Sequence, residues 1–170
     1  MYTYVYFNSN FYVYNSKILN KDIKFLFNYN IMNWFSFLNK KKENYIGFED
    51  VKLAIKDHTL KKYLLINTLQ SNDQECLIKY TIHAKDEESV MNSFLLRDED
   101  INIIVYGRNS TDENANRKYK QIQKLGFDNV YLYTGGLFEW LLLQEVYGKT
   151  EFPTTTVCRD ILQYRVLPTF

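Results

Sequence analysis

The sequence predicts an α/β fold with a mainly parallel β-sheet. The first observation is a series of short apolar runs of strand length, KYLLINT, INIIVYG and NVYLYTGG. The second is that stretches of helical length separate these runs, because alternating strands and helices are typical of parallel sheets. The third is a length of 170 residues with 46% apolar composition, which suits one domain with a hydrophobic core.

The regular pattern begins at Tyr45. YIGFEDVKLAIKD predicts a short strand and then a helix, because Phe48, Val51 and Ile55 recur at helical spacing. KYLLINT is short and apolar enough for a buried strand. CLIKYTIHA predicts a strand around residues 80–83, and EESVMNSFLL predicts a helix.

The second half of the domain continues the alternation. INIIVYG predicts a strand, and DENANRKYKQIQKLGF predicts a helix that Gly126 ends as a C-cap. NVYLYTGG predicts the next strand, and LFEWLLLQEVYG predicts a helix closed by Gly148. The remaining residues contain both prolines and predict a tail that packs on the surface of the domain.

The N-terminal 40 residues differ in character, with an unusual density of Tyr, Phe, Asn, Ile and Lys. YTYVYF and FYVY alternate around Asn8-Ser9-Asn10, which predicts a β-hairpin. The following residues show no regular spacing of apolar side chains. The sequence from a second methionine, Met32, is more typical of the start of a protein. Residues 1–40 are therefore predicted as an irregular extension, weakly structured or hairpin, whose alternative role is a docking arm.

Composition and charge limit the classes of function. The balance of 21 Lys and Arg against 20 Asp and Glu argues against a nucleic-acid partner bound through net charge. No apolar run reaches the roughly 20 residues that span a bilayer. Cys76, Cys158 and the two histidines, His58 and His83, show no metal-site spacing, so we predict no metal and no cofactor. Two unpaired cysteines indicate a reducing compartment: the cytoplasm, or alternatively a mitochondrial or virus-associated location.

The order of these motifs resembles the rhodanese-like family from about Tyr45 to Phe152. YLLINT lies where the family has a strand ending in Asp-x-Arg, and IIVYGRNS takes the place of the active-site strand and loop. The most specific piece is KLGFDNVYLYTGGLFEW, with a Leu-Gly-Phe turn, a strand, Gly-Gly and a Trp four residues later. The resemblance is to a subgroup without the active-site cysteine, as in protists and large DNA viruses. It implies a five-stranded, mainly parallel sheet with helices on both faces.

The chain is thus predicted to have three segments: residues 1–40 as the extension, 45–152 as the rhodanese-like domain and 153–170 as the tail. Within the domain, Gly135 and Gly136 allow a sharp turn from strand to helix without Cβ clashes. Trp140 is large enough to seal that helix against the sheet, burying on the order of 150–250 Å². Fold maintenance is the preferred role of this motif, and ligand contact is the alternative.

The loop after INIIVY lacks a nucleophile. The resemblance implies that an active member carries a cysteine at the first loop position, where its thiolate carries sulfur as a persulfide. Here that position is Gly107, which has no side chain to attack a substrate and is interpreted as a backbone residue tolerating a positive φ. Asn67, Leu69 and Tyr80 also replace an aspartate, an arginine and a glycine of the family. The resemblance thus implies a vestigial active-site loop: Gly107, Arg108, Asn109, Ser110, Thr111 and Asp112.

Arg108 and Arg117 near this loop are candidates for binding a small anion such as phosphate or sulfate. Ser110 and Glu113, however, match a capping box, which would use the free N–H donors internally. Carboxylates in the first helical turn, Asp112 and Glu113, also repel an anion. Internal capping is therefore the preferred interpretation, and a small anion is the alternative.

Two functional hypotheses follow. The first is a catalytically inactive rhodanese-like domain that binds an unknown protein partner or has a structural role, with Leu141–Leu143 and the aromatic N-terminus as candidate surfaces. The second is an active sulfurtransferase that uses a relocated cysteine, Cys76 or Cys158, or a phosphatase-like enzyme that uses an anion-binding loop at 107–113. A cysteine sulfur pointing into the loop at residues 107–112 would favour the enzyme.

Overall fold

The structure, a computed structural model, describes residues 2–7, 10–15, 44–58, 63–97 and 101–169. Residues 1–42 and 43–170 form two separate compact units. In the first unit, strands β1 (Tyr2–Phe7) and β2 (Asn10–Asn15) pair antiparallel, with Phe7 opposite Asn10. The alternating sequence predicted this hairpin. The rest of the predicted extension, residues 16–40, lies outside the described residues.

The second unit is an α/β domain built on a five-stranded sheet with the order β3-β7-β6-β4-β5. All four strand pairings in this sheet are parallel, which confirms the predicted fold class. The strands are β3 (Tyr45–Ile46), β4 (Tyr63–Asn67), β5 (Thr81–Ile82), β6 (Asn102–Tyr106) and β7 (Val130–Tyr133).

The strand expected around residues 80–83 is shorter than predicted. It begins at Thr81 because Tyr80 adopts a φ of 67°, which lies in the left-handed region and is incompatible with an extended strand. Tyr80 is the position where the family resemblance placed a glycine, the residue that adopts this conformation without steric cost. The Tyr80 ring stacks on the His58 imidazole, with 3.6 Å between ring centroids.

Among the described residues of this domain, four helices cover both faces of the sheet, as predicted. The core on one face combines α1 and α4 with Leu65, Ile104 and other strand residues. The core on the other face combines α2 and α3 with Leu64, Ile103 and other strand residues. This division follows from the alternation of side chains along each strand. The helices are α1 (Phe48–Lys56), α2 (Glu87–Arg97), α3 (Glu113–Lys124) and α4 (Gly136–Tyr147).

The last segment of the chain packs against the first of these cores. Thr154 forms a bridge with Ile78, and residues Ile161–Tyr164 form a short 3₁₀ helix. Phe152 and Tyr164 are each only 2% exposed. The tail is therefore not only a surface strap, because the Tyr164 side chain is part of the hydrophobic core.

The turn between β7 and α4 depends on Gly136. Its φ is 64°, and a Cβ built there would lie 2.7 Å from the Gly107 carbonyl oxygen and 2.8 Å from the Asn109 nitrogen. This close approach lets the first N–H groups of α4 donate to the loop after β6, from Leu137 to Gly107 and from Phe138 to Arg108, each at 2.9 Å. The N-terminus of α4 is therefore docked on the backbone of that loop.

The neighbouring motif residues pack this junction. Trp140 is completely buried, donates from Nε1 to the Pro153 carbonyl at 3.2 Å and meets the Phe152 ring edge-on at 4.9 Å. Gly135 has an ordinary φ of −61°, and a Cβ there would meet the Glu139 carboxylate. That carboxylate accepts a hydrogen bond from the Tyr133 hydroxyl at 2.6 Å. These contacts pack the start of α4 against β7 and the segment after α4.

Gly136→Ala should lower the free energy of unfolding by about 2–4 kcal/mol, since it adds a left-handed backbone penalty to a collision with backbone atoms that cannot rotate away. The matched control is Gly126→Ala, which has a φ of 104° but no atom within 4 Å of the added Cβ, and should cost only about 1 kcal/mol. Urea denaturation measures both. Equal losses would show that the close approach to the loop has no energetic weight.

A chain that starts at Met32 should retain the stability of the α/β domain, because residues 43–170 form a compact unit of their own. Circular dichroism and urea denaturation of the shortened and full-length proteins provide the comparison. A loss of more than about 3 kcal/mol, comparable with deleting a large core side chain, would place residues 1–31 in the core instead.

Candidate functional site

The candidate site is the loop of residues 107–112, at the carboxyl edge of the sheet, where α/β proteins usually place their sites. The loop leaves β6 beside the end of β4, where Thr68 donates its backbone N–H to the Tyr106 carbonyl at 3.1 Å. It leads into α3, and its carbonyl groups at Gly107 and Arg108 are held by α4. Three elements thus fix the loop backbone.

The Asp112 side chain fills the inside of this loop. Its Oδ2 accepts hydrogen bonds from the Arg108 backbone N–H at 2.9 Å and from the Thr68 hydroxyl at 3.4 Å. Its Oδ1 accepts from the Asn114 N–H at 2.9 Å, which makes Asp112 the N-cap of α3. A carboxylate belonging to the chain therefore takes the donors that an external anion would need.

Gly107 is required by the position of that carboxylate. A Cβ at residue 107 would lie 2.4 Å from Asp112 Oδ2 and 2.8 Å from its Cγ. Gly107 does not have a positive φ, so the expectation of a left-handed glycine is wrong. The reason for glycine is space, because any side chain at residue 107 has to displace Asp112.

The predicted capping box of Ser110 and Glu113 is also wrong, because Asp112 caps the helix. Asn109 supports the loop from its other end, and its Oδ1 accepts from both the N–H and the hydroxyl of Thr111, at 3.0 and 2.9 Å. Ser110 is exposed. The N–H donors of the loop are nevertheless used within the protein, as expected. They are accepted by the Asp112 and Asn109 side chains and not by Ser110 and Glu113.

The two candidate anion-binding arginines have partners within the protein. Arg108 Nη1 forms a 2.8 Å ion pair with Asp73, its Nη2 donates to the Gln163 carbonyl, and its guanidinium lies over the Tyr164 ring at 5.5 Å. Arg117 donates to the Asn114 side chain at 2.9 Å and is exposed. Beside the loop is an open cavity of about 470 Å³, lined by Arg108, Asn109, Thr111, Asp112, Glu113, Arg165, Val166 and Leu167.

Asn67, in place of the family's aspartate, organises the neighbouring loop. Its Nδ2 donates to Gln74 Oε1 at 3.2 Å and to the Ile82 carbonyl at 3.1 Å. Its Oδ1 accepts from Gln74 Nε2 at 2.7 Å and from the Leu69 N–H at 3.1 Å. Sequence reasoning did not find Gln74, since a single glutamine in a loop has no local signal of burial. Leu69 is buried in the core.

The two cysteines lie away from the loop cavity. Cys76 is buried and donates from Sγ to the Thr156 carbonyl at 3.6 Å, whereas Cys158 is half-buried and accepts from Gln163 Nε2 at 3.9 Å. Burial, together with the nearby Cys158 side chain, raises the pKa of the Cys76 thiol to about 11. Both line a second cavity of about 800 Å³ with Asp73 and Tyr164. Their proximity was not predicted from the sequence.

Other site types find no support in the described part of the chain. Among the described residues, no three His, Cys, Asp or Glu side chains come together as a possible metal site. None of the described helices is long and apolar enough to cross a bilayer. His83 is exposed, and its Nδ1 accepts the Lys85 N–H at 3.3 Å.

Comparison with known proteins finds similarity in one family model and in several solved structures. Residues 66–143 match the family model of the Rhodanese-like domain. Among solved structures, the chain resembles yeast Ygr203w, described as a protein tyrosine phosphatase of the Rhodanese family, at 17% identity and a TM-score of 0.52 over 74% of this chain and 99% of that one. No curated protein gave a significant sequence match.

Two further solved structures are similar. One is the BH2092 protein from Bacillus halodurans, at 18% identity and a TM-score of 0.47 over 68% of this chain and 82% of that one. The other is the single-domain sulfurtransferase RDL2 of Saccharomyces cerevisiae, at 16% identity and a TM-score of 0.45 over 64% and 96%. The similarity to the Rhodanese-like domain model is confined to residues 66–143 of this chain.

Gly107→Ala should destabilise the protein by about 1–3 kcal/mol because the new methyl group meets Asp112. Asp112→Ala should cost about 1–2 kcal/mol through loss of the helix cap. The double variant should lose less than the sum, with a coupling of at least about 0.5 kcal/mol, because Asp112→Ala removes the carboxylate from the space that the methyl group needs. Urea denaturation of all three variants measures this coupling.

Asp112→Asn is the matched control for size, since it keeps the shape of the side chain. It should not relieve the cost of Gly107→Ala. Strict additivity in the Asp112→Ala cycle would mean that some group other than Asp112 demands glycine at residue 107.

Proposed function

We propose that this chain is a catalytically inactive rhodanese-like domain that acts as a binding or structural module. The observation that carries the proposal is the Asp112 carboxylate inside the loop, bonded to the Arg108 N–H and overlapping the space of any side chain at residue 107. Gly107 supplies no nucleophile, and the loop has no room for one in its present packing.

The electrostatics of the loop support the same proposal. A thiolate or a transferring anionic group needs free N–H donors and a positive local field. Here the Arg108 and Asn114 N–H groups are bonded to Asp112, and the Arg108 guanidinium is paired with Asp73. Asp112 and Glu113 add negative charge at the start of α3, which disfavours a second anion. The small-anion alternative at Arg108 and Arg117 therefore has little to support it.

The relocated cysteines offer weak support for an enzyme. Cys76 and Cys158 line the cavity beside Asp73 and Tyr164, and that cavity is distinct from the one lined by residues 108–113. With a pKa of about 11, the Cys76 thiol is almost entirely protonated at neutral pH and is a poor nucleophile. A phosphatase-like reaction would need a nucleophile at the same loop and meets the same obstacle.

The candidate surfaces for a protein partner differ in exposure. Leu141, the first residue of the apolar stretch predicted as a surface, is completely buried and belongs to the core, and Leu142 is 44% exposed. Val146 on the same helix is 73% exposed and Leu167 near the C-terminus is 74% exposed. We propose an unidentified protein partner in the cytoplasm. Affinity purification with the unchanged protein and with variants substituted at these exposed apolar side chains would test whether they contact that partner.

The purified protein should not transfer sulfur from thiosulfate to cyanide, nor hydrolyse p-nitrophenyl phosphate, above the rate of a heat-denatured sample. Gly107 and the carboxylate of Asp112 are the reasons. Cys76→Ser and Cys158→Ser serve as controls. Turnover that either substitution abolishes would establish the relocated-cysteine enzyme and reject the proposal.

Gly107→Cys extends the same test to the loop. It should remain inactive because the Asp112 carboxylate beside the new thiol raises its pKa above the usual value of about 8.5. Alkylation of the thiol across a range of pH measures this. A pKa below about 7 together with sulfur transfer would show that the loop still stabilises a thiolate.

A further inference from the structure

The second cavity brings together the two cysteines, Cys76 and Cys158, which are 82 residues apart in the sequence. Both are free thiols, and both line the same cavity of about 800 Å³. The half-buried Cys158 packs against the core cluster that contains Cys76. Cys76 also donates to the carbonyl of Thr156, two residues before Cys158, at 3.6 Å. The two thiols therefore lie close to each other, since they line one cavity and the Cys158 side chain acts on the Cys76 thiol.

The C-terminal segment that carries Cys158 also covers the loop. Arg108 donates to the Gln163 carbonyl, and Asn109 Nδ2 donates to the Tyr164 carbonyl at 2.7 Å. Residues Arg165–Leu167 then form one wall of the loop cavity. Besides the packing of Cys158, Ile161 and Tyr164 against the core, the segment is held here by hydrogen bonds at its exposed side, which are individually weak in water.

We propose that Cys76 and Cys158 are a redox-sensitive thiol pair, which a peroxide converts to an intramolecular disulfide that fastens the C-terminal segment beside the loop. The more exposed thiol, Cys158, is the first target, because it is only half-buried whereas Cys76 is buried. The buried Cys76 is the resolving thiol. This inference does not depend on the proposed function, because it concerns only the thiols and the segment that they join.

The chemistry balances with hydrogen peroxide as the oxidant. The Cys158 thiolate attacks one peroxide oxygen and the O–O bond breaks, which converts Cys158 to a sulfenic acid. The leaving hydroxide takes up the proton that the thiol had released and becomes water. The Cys76 sulfur then attacks the Cys158 sulfur, the S–O bond breaks, and a second water leaves with the Cys76 proton. Two thiols lose two electrons and two protons, and the peroxide is reduced to two waters.

The disulfide would close a loop from residue 76 to residue 158. Cross-links of such long loops restrict the unfolded chain strongly and raise the Tm of a domain of this size, here by a shift on the order of 10 °C. The same bond would keep residues 159–167 near Arg108 and so limit the opening of the loop cavity. Oxidation thus changes both stability and access to the loop.

The experiment treats the full-length reduced protein with hydrogen peroxide, quenches it with an alkylating reagent under denaturing conditions and digests it with trypsin. The expected product is the peptide 63–79 joined to the peptide 150–159, with a monomeric mass lower by two hydrogen atoms. The oxidised protein should show the upward Tm shift, and dithiothreitol should reverse both changes. These measurements need no variant.

Cys76→Ser and Cys158→Ser are the matched controls. Serine at residue 76 keeps a donor for the Thr156 carbonyl, so this variant should fold but show neither the joined peptide nor the Tm shift. Oxygen added to Cys158 without a bond to Cys76, a disulfide only between two molecules, or no reaction of either thiol would each overturn the proposal.

Discussion

The rest of the site depends on the docking of helix α4 on the loop after β6. The first N–H groups of α4 donate to the carbonyls of Gly107 and Arg108 at 2.9 Å, and only a residue without a Cβ at position 136 allows this approach. Because the free N–H groups of a helix N-terminus must find acceptors, the loop carbonyls satisfy the helix while the helix orients the loop. The direction of the Arg108 N–H, and hence the bond to Asp112, follows from this orientation.

The carboxylate of Asp112 shows how a site can be filled from within. An anion-binding loop with unoccupied donors has a cost in a folded protein, because buried N–H groups without partners are unfavourable. Asp112 accepts hydrogen bonds from the Arg108 and Asn114 N–H groups and caps α3. These hydrogen bonds stabilise the loop. Gly107 fits this arrangement, since its missing side chain leaves room for the carboxylate.

The C-terminal segment connects the loop to the cavity of the cysteines. Arg108 links these parts of the structure. Its guanidinium pairs with Asp73 in the neighbouring loop, donates a hydrogen bond to the Gln163 carbonyl in the segment and lies over the face of the Tyr164 ring. Burial, followed by the nearby Cys158 and Cys76 side chains, raises the pKa of Tyr164 to about 12. The segment is thereby part of the domain and a wall of both cavities.

Much of the fold was determined by the sequence itself. Apolar periodicity and the positions of glycines are local patterns that can be recognised within a short stretch of sequence. They predicted the parallel strands, the four helices and the turn at Gly135 and Gly136. Contacts between distant residues have no such local signal. The cap at Asp112, the burial of Gln74 beside Asn67 and the meeting of Cys76 with Cys158 were decided only by the tertiary structure, because each requires that separate loops come together at the carboxyl edge of the sheet.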